Sequence, residues 1–225
     1  TIQTGNQIPN DGAMVVILTD RTVTMAQNVT ETDLSVTISP GAILDQSSYN
    51  FNASMAGLSG EGILRLASAG FPVAVLNTLV EAGGGTVEYY NSSDFTLPLT
   101  QDTYNNLIIN TSGSTATQLT SLQLNGSLQV KSGIFRINDN SSTAKLTLNI
   151  AGNVTVDEGA AITVGNGVTN TAIGGTGGIA PYLNYYLNFH TVKIGGDFTN
   201  NGTVRFTNLN YPLYNAFPPT TAGAT

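Results

Sequence analysis

The stretch IAGNVTVDEGAAITVG, residues 150–165, decides the fold. Apolar residues alternate with Thr on both sides of the segment DEG at 157–159, and strict alternation over four to eight residues is typical of a half-buried strand. Asp and Gly are common in turns. The stretch therefore predicts a strand, a corner and a second strand, with inward-facing side chains at Val154, Val156, Ile162 and Val164.

The same unit recurs along the chain. Three segments can be aligned, residues 122–137, 148–164 and 192–206, and a shorter fourth copy, VTISPGAIL at 36–44, places Val36 where the second segment has Val154. The aligned segments share a glycine two residues before an apolar residue, at Gly126, Gly152 and Gly196, and a second corner glycine, at Gly133, Gly159 and Gly202. Repeats of 20 to 50 residues indicate solenoids, propellers or arrays.

The repeat predicts an all-β fold, a parallel β-helix or β-solenoid. Similar residues recur at whole-repeat intervals, as stacked parallel coils require, and are not mirrored about each turn. Asn-Gly pairs such as Asn125-Gly126 also suit two-residue hairpins, so a β-sandwich is the alternative. Residues 166–190 are interpreted as a loop inserted into one coil, and FPVAVLNTLVEAG at 71–83 is a candidate for one or two helical turns.

Composition narrows the classes of function. Charged residues make up 9% of the chain and the net charge is −7, which argues against a nucleic-acid partner because that binding depends on clustered Lys and Arg. No apolar run approaches the 18 residues of a membrane span, so none is expected. The absence of cysteine from the sequence excludes disulfides, thiol catalysis and Cys-metal sites.

The repeat style resembles that of a known group of proteins. The strings GEGILRLASAGFP (60–72), AGGGTVEYY (82–90), YNNLIIN (104–110), LQLNGSLQVKSGIF (122–135) and LTLNIAGNVTVDEGAAITVG (146–165) are similar to the β-helical repeat regions of large secreted and cell-surface adhesin-like proteins of Bacteroidetes, which are exported by the type IX secretion system. The resemblance covers residues 12–206 and includes no catalytic motif. It implies a right-handed parallel β-helix, an extracellular location, and contact with the secretion machinery and with neighbouring solenoid segments of the same chain. Residues 1–225 would then form one solenoid segment of a longer protein.

Catalytic chemistry finds little support in the sequence. His190 is the one histidine and no GxSxG motif accompanies it. The acidic residues fall mostly at expected turns, so we expect no catalytic residue, no metal site and no cofactor, although a weak calcium site using Asp139 and Asp157 stays open. The alternative is a polysaccharide-degrading β-helix enzyme, a lyase or glycoside hydrolase, which would need carboxylates converging on one groove.

Aromatic residues in the insertion are the best candidates for binding. Flat rings can stack on sugars, and loops on a regular scaffold commonly carry function. The predicted glycan-binding residues are Tyr182, Tyr185, Tyr186 and Phe189, and a lesser set is Tyr89, Tyr90 and Tyr104. The sequence therefore predicts a non-catalytic extracellular solenoid segment that acts as a stalk or passenger module, with a surface polysaccharide as its candidate ligand.

Overall fold

A computed structural model describes residues 9–139, 145–165 and 190–206. In these ranges the chain is all-β, without a helix. The strands are β1 (Met14–Ile17), β2 (Thr22–Thr24), β3 (Ser35–Ile38), β4 (Ile43–Asp45), β5 (Met55–Gly60), β6 (Ile63–Leu66), β7 (Ala74–Asn77), β8 (Thr86–Tyr89), β9 (Phe95–Thr96), β10 (Thr103–Tyr104), β11 (Asn106–Gln118), β12 (Leu122–Leu124), β13 (Leu128–Ile137), β14 (Thr147–Ile150), β15 (Val154–Val156), β16 (Ala161–Val164), β17 (Thr191–Ile194), β18 (Phe198–Asn200) and β19 (Thr203–Arg205).

The strands stack as a parallel β-solenoid. One long sheet runs in the order β2-β4-β6-β8-β11-β13-β15-β18, and each strand of this path is one rung. A second face is formed by β1-β3-β5-β7 and, further along the chain, by β10-β12-β14-β17. Every pairing between described strands is parallel. The predicted solenoid is confirmed and the β-sandwich is excluded, because consecutive hairpins would pair antiparallel.

The core consists of rows of stacked apolar side chains, and each rung contributes one residue to each row. Parallel pairing places equivalent residues of successive coils directly above one another, so inward residues form continuous rows. All of the central members of one row are at most 4% exposed, namely Leu44, Leu64, Val87, Leu107, Leu128 and Val154. Each such side chain contributes roughly 1.5–3 kcal/mol by its burial.

The quoted corner has the predicted arrangement. Val154, Val156 and Ile162 are buried, and Thr155 and Thr163 are not. Gly159 between the two strands has φ +78°, a conformation that favours glycine. Gly152 is required for a different reason, because a Cβ there would collide with Gly126 on the preceding rung.

The register of the repeats is partly as predicted. Leu128, Val154 and Phe198 pair in one row, which confirms the alignment of the three long segments. The alignment of the short copy is wrong, because Val36 lies in β3 on the second face, whereas Leu44 occupies the row of Val154. The predicted alignment of the short copy is therefore offset by one face of the coil.

The candidate helical turn at 71–83 is also wrong. Residues 74–77 form β7, which pairs with β5 through Met55 and Ala74. Val75 and Leu76 are 84% and 60% exposed, so the apolar residues of this segment do not form the buried stripe of a helix. No helix in the described ranges has the length and apolar character to cross a membrane.

Side chains at one corner tie successive coils together. The backbone N–H of Ser127 donates to Asn106 Oδ1 at 2.9 Å, that of Asn153 to Ser127 Oγ at 3.0 Å, and that of Asp197 to Asn153 Oδ1 at 2.9 Å. The partners are 21, 26 and 44 residues apart in sequence, yet the bond is the same each time. Short polar side chains therefore satisfy corner N–H groups that the sheets leave unpaired.

Candidate functional site

Three charged residues stack on the outer face of the long sheet. Asp45 of β4 pairs in register with Arg65 of β6, and Arg65 pairs with Glu88 of β8. The neighbouring positions Leu44, Leu64 and Val87 point inward, so the charged side chains point outward. We refer to Asp45, Arg65, Glu88 and Tyr90 as the charged cluster.

Arg65 bridges the two carboxylates across consecutive rungs. Its Nε lies 3.0 Å from Glu88 Oε2, and its Nη1 lies 3.4 Å from Asp45 Oδ2. The side chains of Asp45 and Glu88 are 12% and 9% exposed, and that of Arg65 is 28% exposed. The cluster is therefore half-buried, although it lies on the outside of the solenoid.

Tyr90 covers the guanidinium. The Arg65 Cζ atom lies 4.5 Å from the centroid of the Tyr90 ring, a cation–π geometry. The Tyr90 hydroxyl donates to Asp45 Oδ1 at 2.6 Å. Burial, and then the bond and charge of Asp45, raise the pKa of Tyr90 to about 12. Tyr90 is therefore a protonated hydrogen-bond donor at neutral pH and does not act as a base.

Every carboxylate oxygen of the cluster accepts a hydrogen bond. Asp45 Oδ1 also accepts from the Ser47 backbone N–H at 2.9 Å, and Glu88 Oε1 accepts from Asn110 Nδ2 at 2.7 Å. Asn110 Oδ1 in turn contacts Ser132 Oγ at 3.0 Å on the next rung. A general base must be within reach of the substrate proton, whereas these carboxylates are engaged by their own neighbours. The arrangement joins five rungs by polar contacts.

The structure places two residues of the lesser aromatic set in the core, whereas the third, Tyr90, lies in the charged cluster on the outer face. Tyr89 and Tyr104 are fully buried and their hydroxyls lie 3.2 Å apart. Their rings pack with Phe95 and Phe71, and burial raises the pKa of both phenols. These two tyrosines cannot stack on a sugar, so that interpretation is wrong for them. The predicted glycan-binding residues Tyr182, Tyr185, Tyr186 and Phe189 lie outside the described residues.

His190 joins two rungs. Its Nδ1 accepts a hydrogen bond from the Leu146 backbone N–H at 3.0 Å, and its Nε2 lies 3.3 Å from Asn138 Nδ2. Burial lowers the pKa of the imidazole. The bond at Nδ1 ties the imidazole to the adjacent coil, which is the role of a structural histidine.

Two further acidic side chains, Asp94 and Asp157, each accept a hydrogen bond from a residue of the solenoid. Asp94 Oδ1 accepts from the Thr115 backbone N–H at 2.8 Å, and Asp157 Oδ2 accepts from Gln129 Nε2 at 3.0 Å. Across the three described ranges, no group of three or more His, Asp or Glu side chains is placed to hold a metal ion.

No family model, no curated protein and no solved structure matches this chain.

Proposed function

We propose that this chain is a non-catalytic solenoid segment of an extracellular, adhesin-like surface protein, where it acts as a stalk or passenger module. The observation that carries the proposal is the use of the charged cluster. All four carboxylate oxygens of Asp45 and Glu88 accept hydrogen bonds within the solenoid. These two carboxylates therefore hold neighbouring rungs together.

Two further features support a structural role. The corner bonds through Asn106, Ser127 and Asn153 repeat from coil to coil. The interior is a continuous cluster of buried apolar residues that extends from Ile17 to Ile162. A rod held together on its faces, at its corners and in its core suits a spacer that separates other modules.

Glycan binding is assigned to the insertion at 166–190 within this proposal. Its basis is the chemistry of Tyr182, Tyr185, Tyr186 and Phe189, since aromatic rings stack on the apolar faces of sugars. The test is a polysaccharide array probed with the 225-residue chain and with a variant that has all four residues changed to Ser. The matched control is Phe206→Ser, which removes an aromatic ring that is 57% exposed outside the insertion.

We expect binding without cleavage, lost in the fourfold variant and kept in Phe206→Ser. Reducing-end and unsaturated-product assays accompany every hit. Cleavage that disappears in Asp45→Asn or Glu88→Gln would overturn the non-catalytic proposal and favour the polysaccharide-degrading enzyme. Binding unchanged in the fourfold variant would overturn the assignment to the insertion.

A further inference from the structure

The second face of the solenoid is interrupted in the middle of the chain. Strands β1, β3, β5 and β7 form one ladder on this face, and β10, β12, β14 and β17 form another. Among the described strands, β7 pairs with β5 and β10 pairs with β12, but no pairing joins β7 to β10 although they belong to successive coils. We refer to this boundary between β7 and β10 as the seam.

The third face of the solenoid does not cross the seam either. It starts at β9, which pairs with β11, and continues through the second halves of β11 and β13 to β16 and β19. Residues 25–34, 46–54 and 67–73, which follow β2, β4 and β6 in the earlier coils, contain a single β-bridge, from Val29 to Phe51. The ladder of β7 therefore ends, and that of β9 begins, within one coil.

Of the sheets in the described ranges, the long sheet is the one that continues past the seam. Leu64 of β6 pairs with Val87 of β8, and Val87 pairs with Leu107 of β11. The charged cluster lies at the same level, where Glu88 binds Arg65 on the preceding rung and Asn110 on the following one. This side of the solenoid is therefore held by backbone pairing and by an ion pair.

Side-chain contacts cross the seam. Asn105 and Asn125 donate through Nδ2 to backbone oxygens of the turn at 78–85, at 2.6 Å and 3.5 Å. The Tyr104 ring packs edge-on against Phe71, with ring centroids 6.2 Å apart. Separation of β7 from β10 therefore breaks side-chain contacts but no strand pairing, whereas separation of β5 from β7 would break a ladder of backbone hydrogen bonds.

Asn77 of β7 favours separation at the seam. It pairs with Leu58, and so it continues the inward row of Val36 and Leu58, which are at most 4% exposed. Its Oδ1 atom is buried and has no hydrogen-bond partner within the part of the chain that the structure describes. A buried acceptor without a partner costs free energy, and opening relieves this cost because water then reaches the oxygen.

We infer that the solenoid bends at the seam. The second face opens between β7 and β10, the long sheet stays paired and acts as the hinge, and the unpaired oxygen of Asn77 favours the open form. Bending changes the angle between the two ladders without loss of strand pairing, so the rod has a flexible point at a fixed height. The inference goes beyond the proposed function and does not rest on it.

The test measures two distances across the same four rungs. The sequence has no cysteine, so introduced cysteine pairs can carry nitroxide spin labels selectively. The pair Ser59→Cys and Asn149→Cys spans the seam on the second face, from β5 to β14. The matched control, Ile63→Cys with Thr155→Cys, spans the same coils on the long sheet, from β6 to β15. In the closed form both pairs are about 19 Å apart along the axis.

Circular dichroism and urea unfolding verify that each labelled variant folds. Spectra of the singly labelled variants verify that the labels have equal mobility, so that a difference between the two distance distributions reports on the backbone.

We expect double electron–electron resonance to give one narrow distance for the long-sheet pair. The second-face pair should show a second component, longer by about 5 Å, which is one strand spacing. Asn77→Leu should reduce this component. Equal distributions for the two pairs, or a broad distribution for the long-sheet pair, would overturn the hinge. A longer component that Asn77→Leu leaves unchanged would overturn the part assigned to Asn77.

Discussion

Replacing Arg65 by Met tests whether the charged cluster holds the rungs together. The change removes the hydrogen bonds from Nε to Glu88 and from Nη1 to Asp45, at 3.0 and 3.4 Å, and the cation–π contact with Tyr90. Methionine keeps much of the apolar stem, so the loss is chiefly electrostatic. Two carboxylates, each about a tenth exposed, are left without their shared cation.

The expected loss in the free energy of unfolding follows from these contacts. A hydrogen bond to a charged group contributes about 1.5–3 kcal/mol, and a cation–π contact about 0.5–1 kcal/mol at an exposed site. The longer bond to Asp45 is weak, and the guanidinium is 28% exposed, so solvent screening reduces the total. We expect Arg65→Met to lower the free energy of unfolding by about 2–3 kcal/mol, measured by urea unfolding at pH 7.

Two controls make the result specific. Arg136→Met removes another outward arginine that has a neutral partner, Thr115 Oγ1 at 3.3 Å, and it should cost less than about 1 kcal/mol. Combining Arg65→Met with Asp45→Asn and Glu88→Gln should recover most of the loss, because no uncompensated charge remains. Equal costs for the two arginine variants, or no recovery in the triple variant, would refute a structural role for the ion pairs.

Three further predictions concern the core, the histidine and the corner. Tyr104→Phe should cost about 1–2 kcal/mol in urea unfolding because it leaves the Tyr89 hydroxyl unpaired, whereas the double Phe variant should be close to wild type. Because burial lowers the folded-state pKa of His190, its contribution to stability is complete above the unfolded-state value of about 6.5 and is lost as the pH falls through the folded value. The urea midpoint should therefore drop between pH 7 and pH 5 more in wild type than in His190→Gln, and parallel curves would contradict this. Gly152→Ala should cost about 1–3 kcal/mol by overpacking, while Gly57→Ala, where a Cβ meets its nearest atom at 3.6 Å, should be neutral; similar thermal midpoints for the two would contradict the close-packing argument.

Much of the solenoid could be predicted from the sequence. The alternation around residues 150–165 and the recurrent glycines were sufficient to place Leu128, Val154 and Phe198 in one row. Parallel stacking makes this possible, because each coil must repeat the apolar positions of its neighbour.

The alignment of the first coils with the later coils could not be predicted from the sequence in the same way. Each face of a coil presents a short alternating strand that ends at a corner, so a nine-residue match does not distinguish one face from the next. For this reason the sequence pattern aligns Val36 with Val154, although the residue in the row of Val154 is Leu44.

The charged cluster was missed although a signal exists. The triplets ILD at 43–45, ILR at 63–65 and TVE at 86–88 have a charged residue at the same place after an inward aliphatic residue. Once the coils are in register, alternating signs on consecutive rungs predict an ion-pair ladder. Residue type alone could not predict that Tyr89 and Tyr104 are buried, since tyrosine occurs both in cores and at surfaces.

The sequence spacing of the corner bonds shows that the length of the solenoid is not proportional to the number of residues in its coils. Asn153 is bonded to a residue 26 positions earlier and to one 44 positions later, and both contacts join adjacent rungs. One rung adds about 4.8 Å of height however many residues its coil contains. Extra residues between two rungs therefore do not change the height of the solenoid. Its length depends on the number of coils, whereas the number of residues in each coil can vary.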